Sequence, residues 1–162
     1  MIIKINPKIL SRYFDPQIRT NCREGCKRYG EKVCCPPNIG HIRRYEELLP
    51  TYDYGELIIE KFDIDNPKNW KELGKSSSLV IAKQLYSLKE RYENSIIFGA
   101  GSCKYCSEVC YYPCKHPDKM LIPLEATGID VVRLVQDTCK IKLIFPVKDI
   151  FYRIGAILYD ET

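Results

Sequence analysis

The sequence predicts an α+β fold: a small sheet with helices packed on one face and cysteine-rich loops gathered at one end. Three observations carry this expectation. Apolar segments rich in β-branched residues occur at Glu56–Ile64, Ser95–Ala100 and Phe151–Tyr159. Segments with helical apolar spacing alternate with them, and strand–helix–strand–helix–strand–strand is an order that lays helices over a small sheet. Eight of the nine cysteines fall outside these segments, in two compact groups.

The elements follow in chain order. Residues 15–40 hold three prolines and the first cysteine group, and read as an irregular loop shaped by ligation. Ile42–Leu49 reads as a short helix stopped by Pro50. Glu56–Ile64 (ELIIEKFDI) is partly alternating and reads as a strand. Asn66–Gly74 reads as a loop. Ser76 or Ser77 is placed to cap a helix running to about Tyr92, with Leu79, Ala82, Leu85, Leu88 and Tyr92 on its core side. Ser95–Ala100 (SIIFGA) is a short buried strand that delivers the chain into the second cysteine group. Asp130 is placed to cap a helix carrying Val131, Leu134 and Val135. Lys142–Phe145 and Phe151–Tyr159 read as two strands joined by a turn near Pro146. No internal repeat or low-complexity segment is visible.

A chain of 162 residues fits one domain, 1–162, with a core large enough to fold without disulfide staples. MIIKINPKIL lacks the apolar region and cleavage site of a signal peptide. No apolar run reaches membrane-spanning length. The expected location is the cytoplasm, where thiols stay reduced and clustered cysteines mean metal binding or catalysis. The net charge of +4 is modest and the basic residues are spread along the chain, so nucleic acid is not an expected partner. His41-Ile42-Arg43-Arg44 reads as the solvated face of a short helix. Arg23, Lys27, Arg28, Lys104 and Lys115 stand close to cysteines and are placed to balance an anionic centre.

The second group, Cys103-x2-Cys106-x3-Cys110-x3-Cys114, puts four thiols within twelve residues. Dense series of this kind wrap iron–sulfur cubanes. Structural zinc prefers two short pairs separated by a long spacer. The spacing therefore points to iron–sulfur before zinc, and to either before disulfides.

The first group reads Cys22-x3-Cys26-x7-Cys34-Cys35-Pro36-Pro37. Cys22 and Cys26 lie one helical turn apart or on a tight loop. Gly25 and Gly30 allow turns around a bulky ligand. Successive side chains point apart, so Cys34 and Cys35 do not both ligate one ion. Cys35, stiffened by two prolines, is taken as the ligand and Cys34 as the spare. Three ligands leave an open position where a substrate binds. Alternatively Cys34, Cys139, His41 or a cysteine of the second group closes the site. Cys139 reads as a small buried hydrophobe at a helix end. His116 neighbours a ligand and is placed to support it; His41 belongs to a helix start. No Cys–His–Asn set and no phosphate-binding glycine loop is present.

These motifs resemble a known family. Cys22-x3-Cys26-x2-Tyr29-Gly30 with Cys35-Pro36-Pro37 is similar to the first signature of domain-of-unknown-function family 2284, catalogued as metal-binding proteins. Gly99-Ala100-Gly101-Ser102-Cys103-x2-Cys106-x3-Cys110, then Cys114-Lys115-x-Pro117, is similar to the second. Leu124-Glu125-Ala126-x-Gly128-Ile129-Asp130-Val131 is similar to the third. The resemblance spans nearly the whole chain. It implies a bacterial or archaeal metal or iron–sulfur protein with ligand roles for Cys22, Cys26, Cys35, Cys103, Cys106, Cys110 and Cys114, and sets Cys34 and Cys139 aside. Two positions depart from the family pattern: Pro123 replaces a common serine and Lys115 the usual arginine. Glu125 is the acidic residue of a shared motif, placed either for acid–base work near the cluster or as a helix-terminus charge.

The expected function is metal binding: one or two [4Fe–4S]-type clusters serving electron transfer or open-site chemistry on a small molecule. The alternative is a zinc-stabilised interaction module without a redox role. A redox partner protein or a small-molecule substrate is the expected partner, with neither nucleic acid nor membrane.

Overall fold

Leu57, Ile58 and Ile59 are consecutive and all buried, so the strand that carries them has protein on both faces. It is β2 (Tyr54–Asp63), the second strand of a five-stranded sheet in the computed structural model, which describes residues 1–65, 69–106 and 109–161. The other strands are β1 (Ile2–Ile5), β3 (Ser95–Gly99), β4 (Ile122–Pro123) and β5 (Ile150–Tyr159). Their spatial order is β1-β2-β5-β3-β4. All neighbours are antiparallel except β3 and β4. The long β2–β5 ladder runs from Tyr54 opposite Tyr159 to Asp63 opposite Ile150.

The α+β class with a small sheet is as expected, but the helices occupy both faces. On one face Ile58, Ile97 and Ile157 meet Ile81 and Leu85 of α3 (Trp70–Arg91). Gly155 sits beneath them, and a Cβ there would lie 2.8 Å from Ile81 and 3.0 Å from Leu85, so the missing side chain lets α3 lie close. On the other face Leu57, Ile59, Phe98, Ala156 and Leu158 form one core with Tyr13, Tyr45, Leu134 and Val135. Tyr45 comes from α2 (Ile42–Leu48), and Leu134 and Val135 from α4 (Val131–Cys139). Each fully buried aliphatic side chain stabilises the fold by about 1.5–3 kcal/mol. A sheet apolar on both sides therefore needs covering on both sides.

Several boundaries move. Residues 15–40 are not one irregular loop, because α1 (Pro16–Gly25) begins there. Asp15 caps it by accepting the Gln17 N–H at 2.9 Å, with Pro16 in the first turn. From Asn66–Gly74, residues 66–68 lie outside the described residues, and α3 already begins at Trp70. Ser76, Ser77 and Ser78 do not cap it; their hydroxyls bond back to the carbonyls of Leu73 and Gly74 inside the helix. Lys142–Phe145 forms no strand. Ile144 and Phe145 are largely exposed, while β2 and β3 already occupy both edges of β5. Asp130 does cap α4, accepting the Arg133 N–H at 3.0 Å. Outside the regular elements, 3-10 turns lie at Pro7–Arg12, Leu49–Thr51 and Glu125–Thr127.

Candidate metal centre

Cys22 lies in the last turn of α1 and Cys26 is the residue that ends it, its N–H reaching the Cys22 carbonyl at 3.3 Å. The chain then folds back in successive turns. Gly30 N–H donates to Pro36 O at 2.9 Å, and Cys35 N–H to Lys32 O at 3.1 Å. This return brings Cys35 near enough to feel the charges of both Cys26 and Cys22. Cys35 is buried, Cys22 half-buried and Cys26 exposed. Burial, then the neighbouring Glu125 and Cys26, push the Cys22 thiol up, against the pull of Arg19. These three thiols are thus within range of one another's charge.

Cys34, beside Cys35, also faces the second group. Its Sγ accepts the backbone N–H of Cys103 at 3.2 Å and lines a recess of about 20 Å³ together with Cys103, Cys106, Cys110 and Cys114. Lys32 clamps the same junction, donating from Nζ to the Cys103 carbonyl at 3.0 Å. The Cys34 and Cys35 sulfurs remain 3.8 Å apart. A hydrogen bond from Cys35 pulls the Cys34 thiol down to about 6, helped by the Cys103 amide and Lys32 and opposed by burial. Cys35 is pushed the opposite way, first by the same contact with Cys34 and then by burial. The Cys103 amide and the Lys32 ammonium both favour negative charge on Cys34.

Positive charge collects around these sulfurs. Lys104 is held below its ordinary value, first by burial and then by Lys32, Arg28 and Arg153. Arg19, on α1, donates to the carbonyls of Ala126 and Gly40, while its Nη2 is buried without a hydrogen-bond partner among the described residues. Beside the recess, His116 packs edge-on to Tyr105 with ring centroids 5.2 Å apart, and Lys115 sits 3.6 Å over the Tyr111 ring. His41 caps α2 through Nδ1, and Cys139 ends α4, packed against the core.

A cleft of about 310 Å³ opens beside α1. Ile18 of α1, Ala100 and Gly101 ahead of the second group, Glu125 and Arg153 line it. Glu125 is ringed by protein yet keeps its side chain open to the cleft. Burial raises its carboxyl, and Arg153 partly offsets that. Arg153 itself is anchored to α3, donating from Nε to Ser77 Oγ and from Nη2 to Gly74 O, each at 3.0 Å.

The family model described as predicted metal-binding protein (DUF2284) matches residues 8–159. The chain belongs to this family. No curated protein and no solved structure matches it. In this DUF2284 chain, no three Cys, His, Asp or Glu side chains among the described residues are gathered in a way that could hold a metal ion. None of its described helices is long and apolar enough to cross a membrane. The donor set nevertheless fits a thiolate-bound metal. Soft thiols, an amide aimed at sulfur, and an arginine that feels the charge of Cys22 and keeps one N–H unpartnered among the described residues are what an anionic metal–thiolate group requires of its surroundings. Of the residues placed here, Arg19, Lys32 and Arg153 carry no motif in the sequence. Their positions depend on contacts with Gly40, Cys103 and Gly74, which are distant along the chain.

Proposed function

We propose that this protein is an iron–sulfur protein with two [4Fe–4S]-type centres, one of them open to a small molecule. The thiols lining the recess hold the first centre, and Cys22, Cys26 and Cys35 hold the second. The support for this reading is that Cys35 feels the charges of Cys22 and Cys26, and Cys22 that of Glu125, which lines a cleft of small-molecule size. Three thiolates leave one metal position for a non-protein ligand. When bound, such a centre supplies a Lewis-acidic iron and a one-electron reservoir.

The residues around it have separate tasks. Arg19 offsets negative charge at Cys22 through its unpartnered Nη2. Arg153, fixed by two hydrogen bonds, presents positive charge to the cleft and fits an anionic group on the bound molecule. Glu125, whose carboxyl is raised by the protein packed around it while its side chain stays open to the cleft, is placed to exchange a proton with that molecule. Ile18 and Ile129 line the cleft with apolar surface and exclude water.

Electron transfer without a substrate is the second reading, favoured by the 3.8 Å separation of the Cys34 and Cys35 sulfurs between the two thiol neighbourhoods. Anaerobic purification followed by iron, zinc and acid-labile sulfide analysis tests the cluster. The expected protein is brown, with iron and sulfide in near-equal amounts. Colourless protein with stoichiometric zinc supports the interaction-module alternative and ends the iron–sulfur reading. Mild oxidation separates the other two, since an open iron is lost first to give a three-iron electron paramagnetic resonance signal. A fully thiolate-ligated carrier gives no such signal.

A further inference from the structure

We infer that Cys34 is a ligand of the recess centre, so that the adjacent residues Cys34 and Cys35 serve two different metal centres and join them. This rests on the reading above that both thiol neighbourhoods hold metal. The pattern of neighbours makes the assignment. Cys34 is 1 % exposed, and its sulfur lines the same recess as Cys103, Cys106, Cys110 and Cys114. Its sulfur already accepts an N–H from Cys103, the first residue of that group. Amide donors to ligating sulfur are a regular part of the surroundings of thiolate-bound clusters and tune their potential. Cys35 instead belongs with Cys22 and Cys26, whose charges it feels.

Adjacent residues suit this division. Their sulfurs lie side by side at 3.8 Å, yet only Cys34 lines the recess and only Cys35 feels Cys22 and Cys26, so the pair can bridge two centres. A thiol held by a fixed amide donor is also a better-prepared ligand than one without. Cys34 accepts the Cys103 N–H, as Cys26 accepts the Arg28 N–H, and no such donor reaches Cys110 among the described residues. A cubane takes four thiolates, and five line the recess. Cys34 with Cys103, Cys106 and Cys114 makes up the four, and Cys110 is the thiol left over. The two centres are then linked through one peptide unit and a 3.8 Å sulfur–sulfur contact.

The test uses full-length protein purified anaerobically, with metal and sulfide counted per chain, circular dichroism to confirm folding, and electron paramagnetic resonance of the dithionite-reduced state. Cys34→Ser is expected to lose about half of the wild-type metal, and Cys110→Ser to lose almost none. The double variant Cys34→Ser with Cys114→Ser should lose no more than Cys34→Ser alone, because both act on one centre. Cys34→Ser with Cys22→Ser should lose nearly all, because they act on two. In the wild type, two reduced centres so closely linked should show spectra broadened by mutual magnetic interaction, absent from each half-loaded variant. If Cys34→Ser does not fold, Cys34→Asp replaces it, with retained metal and an altered spectrum expected, since a carboxylate oxygen takes the sulfur's place.

Metal content and spectrum unchanged in a folded Cys34 variant overturn the inference. So does loss of the same component as in Cys22→Ser, or equal loss in Cys110→Ser and Cys34→Ser. Wild-type protein without any metal overturns the inference together with the reading it rests on. Wild-type protein that holds metal, with Cys34 indifferent to it, overturns the inference alone. Zinc in place of iron ends the cluster, and the same pairs of variants then decide Cys34 from zinc content.

Discussion

The guanidinium of Arg19 donates from Nη1 to the carbonyl oxygen of Gly40 across 2.8 Å, and its Nε donates to the carbonyl of Ala126. One side chain on α1 therefore ties the helix that carries Cys22 to the end of the cysteine loop and to the 3-10 turn that carries Glu125. None of the side chains of α1 is fully buried, so apolar packing does little to hold the helix in place. This arginine, with the Asp15 N–H that donates to the Gly128 carbonyl at 2.9 Å, fixes where Cys22 lies.

Arg19→Gln is expected to lose both hydrogen bonds and lower stability by about 1–3 kcal/mol. Lysine has one donor head and cannot reach two carbonyls in different directions, so Arg19→Lys should rescue little of this. Thermal unfolding checks both variants. A melting temperature within a degree of wild type in Arg19→Gln would show that α1 is anchored elsewhere.

Glu125 gives a pH prediction with a definite sign. Its folded-state carboxyl is raised above the ordinary value of 4.5, chiefly by burial. The stability tied to its neutral form is fully present below the unfolded value and is lost as the pH rises through the folded value. Glu125→Gln removes that loss. The variant should gain stability relative to wild type as the pH rises from 4 to 8, and match it at the acid end. Denaturant unfolding of both proteins across this range measures the difference. A constant offset at every pH would mean that Glu125 ionises in the folded protein as it does in the unfolded chain.

Gly128 ends the 3-10 turn with φ +101°. A Cβ there would lie 2.2 Å from Cδ1 and 2.4 Å from Cγ1 of Ile42, the first residue of α2. Gly128→Ala should cost about 2–4 kcal/mol, combining backbone strain with overpacking. Ile42→Ala in the same chain should recover the overpacking part and leave the strain. A double-mutant cycle reads the difference as a coupling energy. No coupling would place the whole cost in the backbone.

The recurrent sequence signals mark what was legible. Asp130 announced α4, and Ala82, Leu85 and Leu88 announced the buried face of α3. The apolar runs at 56–64 and 151–159 announced β2 and β5. Local chemistry decides such features, because a cap or a repeating apolar face acts within a few residues. The same local logic misled at Ser76 and Ser77, where serine hydroxyls bond inside α3, and at Lys142–Phe145, whose β-favouring residues find no free strand edge. Local signals were equally silent on β1, β4 and α1, which are short or carry few buried side chains.

By itself the sequence determined the α+β class, the family signatures and the cysteines available to bind metal. It left Cys34 as a spare beside Cys35, because adjacent residues look equivalent along a chain. Only the tertiary structure gives them different neighbours. The loop after α1 folds back so that Cys35 approaches Cys22 and Cys26, while the Cys103 amide and Lys32 meet Cys34 and its junction from a segment about seventy residues away. Arg19, Glu125 and Arg153 likewise acquire their surroundings only when separate segments pack together. Local propensity acts over a turn or two of chain, whereas the charge and burial around a sulfur come from whatever the fold places next to it, however distant in sequence.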